Sequence, residues 1–255
     1  MINSINITLK NQMTMNTNST LEQLRELKLG GMAAMYQTYL EQPLEQRPEP
    51  HVLLGMLAEA ELGHRRNSRT ELYVKTARLR YHALPEQVIC NNERGLPKEQ
   101  FLELCEGAYL RHSTNILVTG ATGCGKSFLA CALGRQACIM GYRTLYYSMT
   151  RFIEVLAASR LDGTYIKWLN QIARTPLLVL DDFGLKQLDT DMRLTLLQIL
   201  EDRYRKGATI VTSQLPVAKW HPVVGDPSIA DGILDRLSAR AHRVDLKGAS
   251  LRKEK

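Results

Sequence analysis

The pattern of apolar and polar positions changes character partway along the chain. In the first part, apolar residues recur near helical spacing. Leu24, Leu27, Met32, Met35, Tyr36 and Tyr39 follow a candidate cap at Thr20, and predict a helix from Leu21 that Gly30-Gly31 kinks or divides. Pro43 to Pro50 read as a turn or linker, and Val52–Arg66 as a second helix with Leu53, Leu54, Met56, Leu57 and Leu62 on its packing side. Tyr81–Pro97, interrupted by Pro85, Gly95 and Pro97, is the expected region of the domain boundary.

From Lys98 onward, short apolar runs alternate with amphipathic stretches. Expected helices are Gln100–Tyr109, Phe128–Met140, Thr150–Ser159, Thr164–Arg174, Asp191–Lys206 (Leu194, Leu197, Ile199 and Leu200 inward) and Ile229–Ala239. Expected strands are Asn115–Thr119, Thr144–Met149, Leu177–Leu180, Thr209–Thr212 and His242–Leu246. Such alternation predicts an α/β domain whose parallel sheet is covered on both faces. The expected division is a flexible N-terminus over 1–18, a small all-helical domain over 19–84 and the α/β domain over 85–255.

One junction in this pattern carries chemistry. Behind the strand Asn115–Thr119, the residues Gly120-Ala121-Thr122-Gly123-Cys124-Gly125-Lys126-Ser127 fit G-x-x-x-x-G-K-[ST] at every position, and a helix follows from Phe128. Glycines let the backbone wrap closely enough to aim N–H groups at phosphate oxygens, and the helix N-terminus adds partial positive charge there. Residues Gly120 to Phe128 are therefore expected to bind a nucleoside triphosphate, with Lys126 on the β- and γ-phosphates and Ser127 on Mg²⁺. The apolar run Leu177–Leu180 ends in Asp181-Asp182, a Walker B pattern that delivers carboxylates to the C-terminal edge of the sheet. Asp181 is expected at the metal and Asp182 at the attacking water. The polar cluster Thr212-Ser213-Gln214 ends the next strand, where it can sense the γ-phosphate or simply cap the strand. Arg236 is remote from the loop, and fits either an arginine acting on a neighbouring subunit or a surface salt bridge.

Charge narrows the class of partner. A net charge of +7 favours an anionic partner, nucleic acid being the commonest. His64–Arg80 holds six Lys/Arg against one acid, Glu71, which fits both a phosphate-backbone contact surface and a solvated helix face. No apolar run reaches the ~20 residues of a membrane span, and the first residues lack a secretory signal's apolar core, so no membrane partner is expected. Five cysteines without a C-x-x-C pair suit a reducing, cytoplasmic setting.

Taken together, GATGCGKS, LLVLDDFG, TSQLPVAKWH, GDPSIADGILDRL and the terminal GASLR resemble the DnaC/IstB group of AAA+ ATPases, most of all its IstB-like transposition helpers, over roughly Leu21 to Arg252. The resemblance implies a helical N-terminal domain before a five-stranded AAA+ domain, with ATP and Mg²⁺ bound between subunits of an ATP-dependent homo-oligomer. It assigns Ser213 and its neighbours to a γ-phosphate sensor, Arg236 to a trans-acting finger and Arg252 to a second sensor. It implies ATP hydrolysis, duplex DNA bound with little sequence preference, and a transposase as partner. A DnaC-like helicase loader on single-stranded DNA is the alternative. The resemblance further likens the helices around Thr150–Arg174, with Arg160, Lys167 and Arg174, to an initiator-type insert facing DNA. Two departures from the wider AAA+ pattern stand out. Asp182 replaces the usual Glu, which favours slow hydrolysis, and the chain ends without the helical lid that normally carries the second sensor. A small-molecule kinase would instead need an acceptor pocket and lid arginines.

Overall fold

The computed structural model describes residues 18–251. The described chain separates into two compact units, one up to Glu71 and one from Leu72. Residues 18–26 form α1, so Thr20 lies inside a helix rather than capping one. The expectation for the flexible N-terminus falls, apart from residue 18, outside the described residues.

In the first unit, α2 (Gly30–Glu41) starts after a break at 27–29, so the glycine pair divides the helices. Gly31 is required by close approach, since a Cβ there would come 2.4 Å from the Ala60 carbonyl oxygen. Glu61 fixes the contact from the other side. Its carboxylate accepts from the Gly31 N–H at 2.8 Å and the Met32 N–H at 3.3 Å, serving two first-turn donors of α2 that no N-cap side chain serves. α3 (Pro50–Ala77) is longer than the expected Val52–Arg66, because the basic segment continues the helix. The expected packing stripe is corrected as well: Leu54 and Leu62 are at least half exposed and Met56 is exposed too.

The second unit is a five-stranded, all-parallel sheet in the order β2-β3-β4-β1-β5. Its strands are β1 (Ile116–Gly120), β2 (Thr144–Ser148), β3 (Leu177–Phe183), β4 (Ala208–Ser213) and β5 (His242–Leu246). Strand alternation explains the unbroken apolar runs. Ile116, Val118, Leu177, Val179 and Ile210 pack on one face with α4 (Lys98–Cys105), α5 (Ala108–Arg111) and α6 (Lys126–Ile139). Leu117, Leu178, Leu180 and Val211 pack on the other with α7 (Met149–Leu161), α8 (Tyr165–Ala173), α9 (Thr190–Arg203), α10 (Trp220–Val224) and α11 (Pro227–Ser238).

The face of α9 is corrected. Met192, Leu196, Ile199 and Leu200 point inward, Leu197 is half-buried and Leu194 is half exposed. Leu194 sits two residues from both Met192 and Leu196, about 200° round the helix from each. The helix ends at Arg203 rather than Lys206. That side chain turns inward, 1% exposed, to donate to the carbonyls of Ile172, Thr175 and Ala208.

Candidate nucleotide-binding site

The phosphate loop leaves β1 at Gly120 and enters α6 at Lys126. Gly120, Gly123 and Gly125 all adopt positive φ, and at the first two there is no room for a side chain. A Cβ on Gly120 would lie 2.2 Å from the Leu246 carbonyl oxygen, and one on Gly123 would lie 2.1 Å from Ser250 Oγ. α6 has no side-chain N-cap, so its first-turn amides remain available to a phosphate. Lys126 is 5% exposed and donates to the Ala121 carbonyl at 2.9 Å, holding its ammonium over the loop. Three outside ties fix the loop. Arg94 donates to the Cys124 carbonyl at 2.8 Å, Leu251 N–H to Gly123 O at 3.0 Å, and Thr122 Oγ1 to Gln214 Oε1 at 2.8 Å. Phe128 packs its ring against Tyr81, 6.3 Å between centroids.

Beside the loop, Asp181 is fully buried and surrounded by donors. Ser127 Oγ donates to its Oδ1 at 2.8 Å, Thr212 Oγ1 donates to the same oxygen, and Tyr146 OH donates to Oδ2 at 2.5 Å. Burial, then the bond to Asp181, pushes the Tyr146 phenol above its usual range and keeps it a donor. Asp182 follows a register shift between β3 and β4 and adopts a φ of 64°, a conformation that costs a non-glycine residue about 1–3 kcal/mol. The shift leaves its side chain 25% exposed at the sheet edge, while its N–H donates to Thr212 Oγ1 at 3.0 Å. Arg80 closes the group, with Nη1 at 3.2 Å from Asp182 Oδ2 and 3.6 Å from Asp181 Oδ2.

The structure thus brings Lys126, Ser127, Asp181 and Asp182 to one edge. It treats the other expected residues differently. Ser213 lies next to the site, but its buried hydroxyl donates to the Phe183 carbonyl at 2.6 Å and accepts from the Leu215 N–H at 3.1 Å. The side chains of its cluster that reach the site are Thr212, on Asp181, and Gln214, on the phosphate loop. Arg236 is at the opposite edge. Its carbonyl accepts from the side chain of Asn115, the residue before β1, and its guanidinium pairs with Glu201 and Asp235, each at 2.7 Å. There it lines a cavity of about 240 Å³ with Arg205, Arg240 and His112. Arg252 lies outside the described residues. Arg80, Arg94 and Tyr146 were not anticipated as site residues. Arg80 belongs to a basic run, Arg94 lies in an irregular segment, and Tyr146 carries no motif. In the same basic run, Arg65 pairs with Glu61 at 2.7 Å.

The residues fit the groups that the motif implies. The glycine cradle, free first-turn amides and buried ammonium suit a triphosphate. Ser127 Oγ and Asp181 Oδ1 are hard oxygens of the kind that Mg²⁺ takes alongside phosphate and water. Sheet order, phosphate loop and Walker B carboxylates define the class as an AAA+ P-loop NTPase domain. Solved structures of that fold resemble the chain. One is the replication initiator DnaA bound to AMPPCP and single-stranded DNA, with a TM-score of 0.57, 21% identity, and coverage of 68% of this chain and 52% of that one. Another is the DnaC helicase loader, with a TM-score of 0.54, 19% identity, and coverage of 66% and 98%. The sequence of the family described as IstB-like ATP binding protein matches residues 22–255. The insertion sequence ATP-binding protein y4pL of Sinorhizobium fredii is 41% identical over 234 residues, 92% of this chain and 96% of that protein. The chain belongs to the IstB-like ATP binding protein family. Among the described residues, no helix is long and apolar enough to cross a membrane.

Proposed function

We propose that this protein is an ATP-regulated, DNA-binding ATPase that assembles on duplex DNA and assists the transposase of an insertion sequence. The observation that carries the reading is the division of parts between the two edges of the sheet. Lys126, Ser127, Asp181 and Asp182 converge at the C-terminal edge, while Arg236 stands at the other, with Asn115 before β1. A neighbouring subunit's Arg236 is then the natural source of an arginine at the γ-phosphate. Insertion-sequence relatives support the transposase as partner, and the net charge of +7 supports DNA. Exposed Arg66, Arg69, Lys167 and Arg174 are candidate phosphate contacts, whereas Arg160 is held by Asp191 and Thr195.

In this reading, Lys126 and the loop amides bind the β- and γ-phosphates, and Ser127 with Asp181 holds the metal. A Mg²⁺ ion held there would supply charge neutralisation for the transferred phosphate. Asp182 orients the lytic water, and its side chain, one methylene shorter than the usual Glu, favours slow turnover. Arg252 completes the proposed nucleotide contacts from the C-terminal segment.

Binding to random duplex and to single strand, measured with AMPPCP while particle size is recorded, tests the proposal. Large nucleotide-dependent assemblies on duplex that Lys126→Ala abolishes are expected. Preference for single strand points instead to a helicase loader. A monomer that binds neither defeats both readings.

A further inference from the structure

We infer that Arg80 is a positioning residue that competes with the divalent cation for the Asp181–Asp182 pair, and so sets how much Mg²⁺ the site needs. The inference rests on the proposed nucleotide site and deepens it. One guanidinium nitrogen, Nη1, spans both carboxylates, at 3.2 Å from Asp182 and 3.6 Å from Asp181. The second aspartate is the residue expected to accept from the lytic water, so Arg80 occupies an acceptor that turnover requires. The first is the proposed metal ligand, and a positive charge 3.6 Å from its Oδ2, the oxygen that Tyr146 also bonds, repels a cation at Oδ1.

Three features let Arg80 leave as well as bind. It lies just past the end of α3, in an irregular stretch where Arg78 has a φ of 55°. Its side chain is 42% exposed, against 0% for that of Asp181. It also lines an open cavity of about 470 Å³ with Arg78, Arg151, Thr150 and Tyr147, which gives the guanidinium water to enter. Asp181 by contrast is buried and held by three further donors, Ser127, Thr212 and Tyr146. Arg80 is therefore the exchangeable member of the group, and a cation arriving with the nucleotide displaces it and frees Asp182.

The test is binding of mant-ADP, a fluorescent ADP analogue, to the full chain while Mg²⁺ is titrated. Arg80→Gln should lower the Mg²⁺ concentration for half-maximal binding by about fivefold to tenfold, the scale of one part-exposed charged hydrogen bond. Arg80→Lys should stay near the wild type. Arg80→Gln should also melt lower in EDTA, with the gap closing in Mg²⁺ and ADP. An unchanged or raised Mg²⁺ requirement, or an equal melting deficit in both buffers, overturns the inference. Should Arg80→Gln fail to fold, arginine side-chain NMR of the wild type decides. Mg²⁺ added to the ADP complex should release the bonded Arg80 guanidinium, and a signal that stays put overturns the competition. Wild type that never binds mant-ADP defeats the nucleotide site itself, a result distinct from a missing shift in the variant.

Discussion

Thr212→Val tests the architecture of the site most directly, because it removes a hydroxyl and nearly preserves the volume. Thr212 Oγ1 makes two bonds, donating to Asp181 Oδ1 and accepting from the Asp182 N–H. Loss of a hydrogen bond to a carboxylate costs about 1.5–3 kcal/mol, and a stranded buried amide about 1–3 kcal/mol. Asp181 keeps Ser127 and Tyr146 as donors, so the two losses are not additive and the net cost is about 2–4 kcal/mol. At roughly 2–4 °C per kcal/mol for a unit of this size, the melting midpoint should fall by roughly 4–16 °C. On the proposed reading turnover should fall further, up to about a hundredfold, because the tied N–H belongs to the strained Asp182, the proposed orienter of the lytic water. Circular dichroism melting and phosphate release measure the two effects. Ser213→Ala is the control. Its hydroxyl ties only the Phe183 carbonyl and the Leu215 N–H, so it should lose stability but keep its rate per folded molecule. A Thr212→Val protein that melts and turns over like wild type, or a rate lost in Ser213→Ala alone, refutes the reasoning.

Arg236→Ala should leave mant-ADP binding intact and cut hydrolysis by the assembled protein roughly a hundredfold or more, as loss of a trans arginine does; undiminished turnover removes the finger. Burial pushes the Cys105 thiol up to about 11, so at pH 8 roughly one in a thousand is thiolate. Iodoacetamide labelling of Cys105, followed by mass spectrometry, should be slow there and rise about tenfold per pH unit toward that value; a plateau near pH 8 contradicts it. Glu61 is held below its ordinary value of 4.5 by the bond from Arg65 and then by the Met32 and Gly31 amides. A carboxylate with a depressed folded-state pKa contributes stability that is present above the unfolded value and is lost as pH falls through the folded one. Limited proteolysis of the first unit by pepsin should therefore accelerate below about pH 4.5 in the wild type, and Glu61→Gln should remove most of that acceleration; identical pH profiles would contradict it.

The phosphate loop and the Walker B strand were legible because their chemistry depends on local spacing. Eight consecutive residues set the cradle, and strand alternation puts both faces of Leu177–Leu180 in apolar surroundings. Arg80 was not legible in this way. Its charge reads like those of Arg66 and Arg69, and only tertiary structure takes it across 102 positions of sequence to Asp182. The choice between Thr212 and Ser213 was similarly closed. Adjacent residues of a strand face opposite sides of the sheet, and which side holds Asp181 follows from pairing rather than composition. Leu194 shows the reverse error, where an apolar residue is placed inward by type although the helical angle carries it out. The Leu54 and Leu62 stripe of α3 fails for the same reason. Periodicity identifies an apolar face and leaves open what covers it.

The placement of Arg236 constrains assembly beyond the choice of residue. On the proposed reading, each subunit offers a nucleotide edge and an arginine edge at opposite ends of β1, since Asn115 precedes that strand and Gly120 ends it. A two-fold dimer buries the same patch of both partners, so it cannot join arginine edge to nucleotide edge and leave both sites alike. The contact is heterologous, and repetition of it gives a ring or a helix. Glu201 then works against assembly, because its ion pair with Arg236 at 2.7 Å must open before the guanidinium reaches a neighbour. That pair is part-exposed and screened by solvent, weak enough for a γ-phosphate to displace. Glu201→Gln should therefore lower the protein concentration at which AMPPCP drives assembly, by a small factor of the order expected for one exposed ion pair. Light scattering against protein concentration measures it, and a threshold that rises in Glu201→Gln would place the ion pair inside the assembly contact rather than against it.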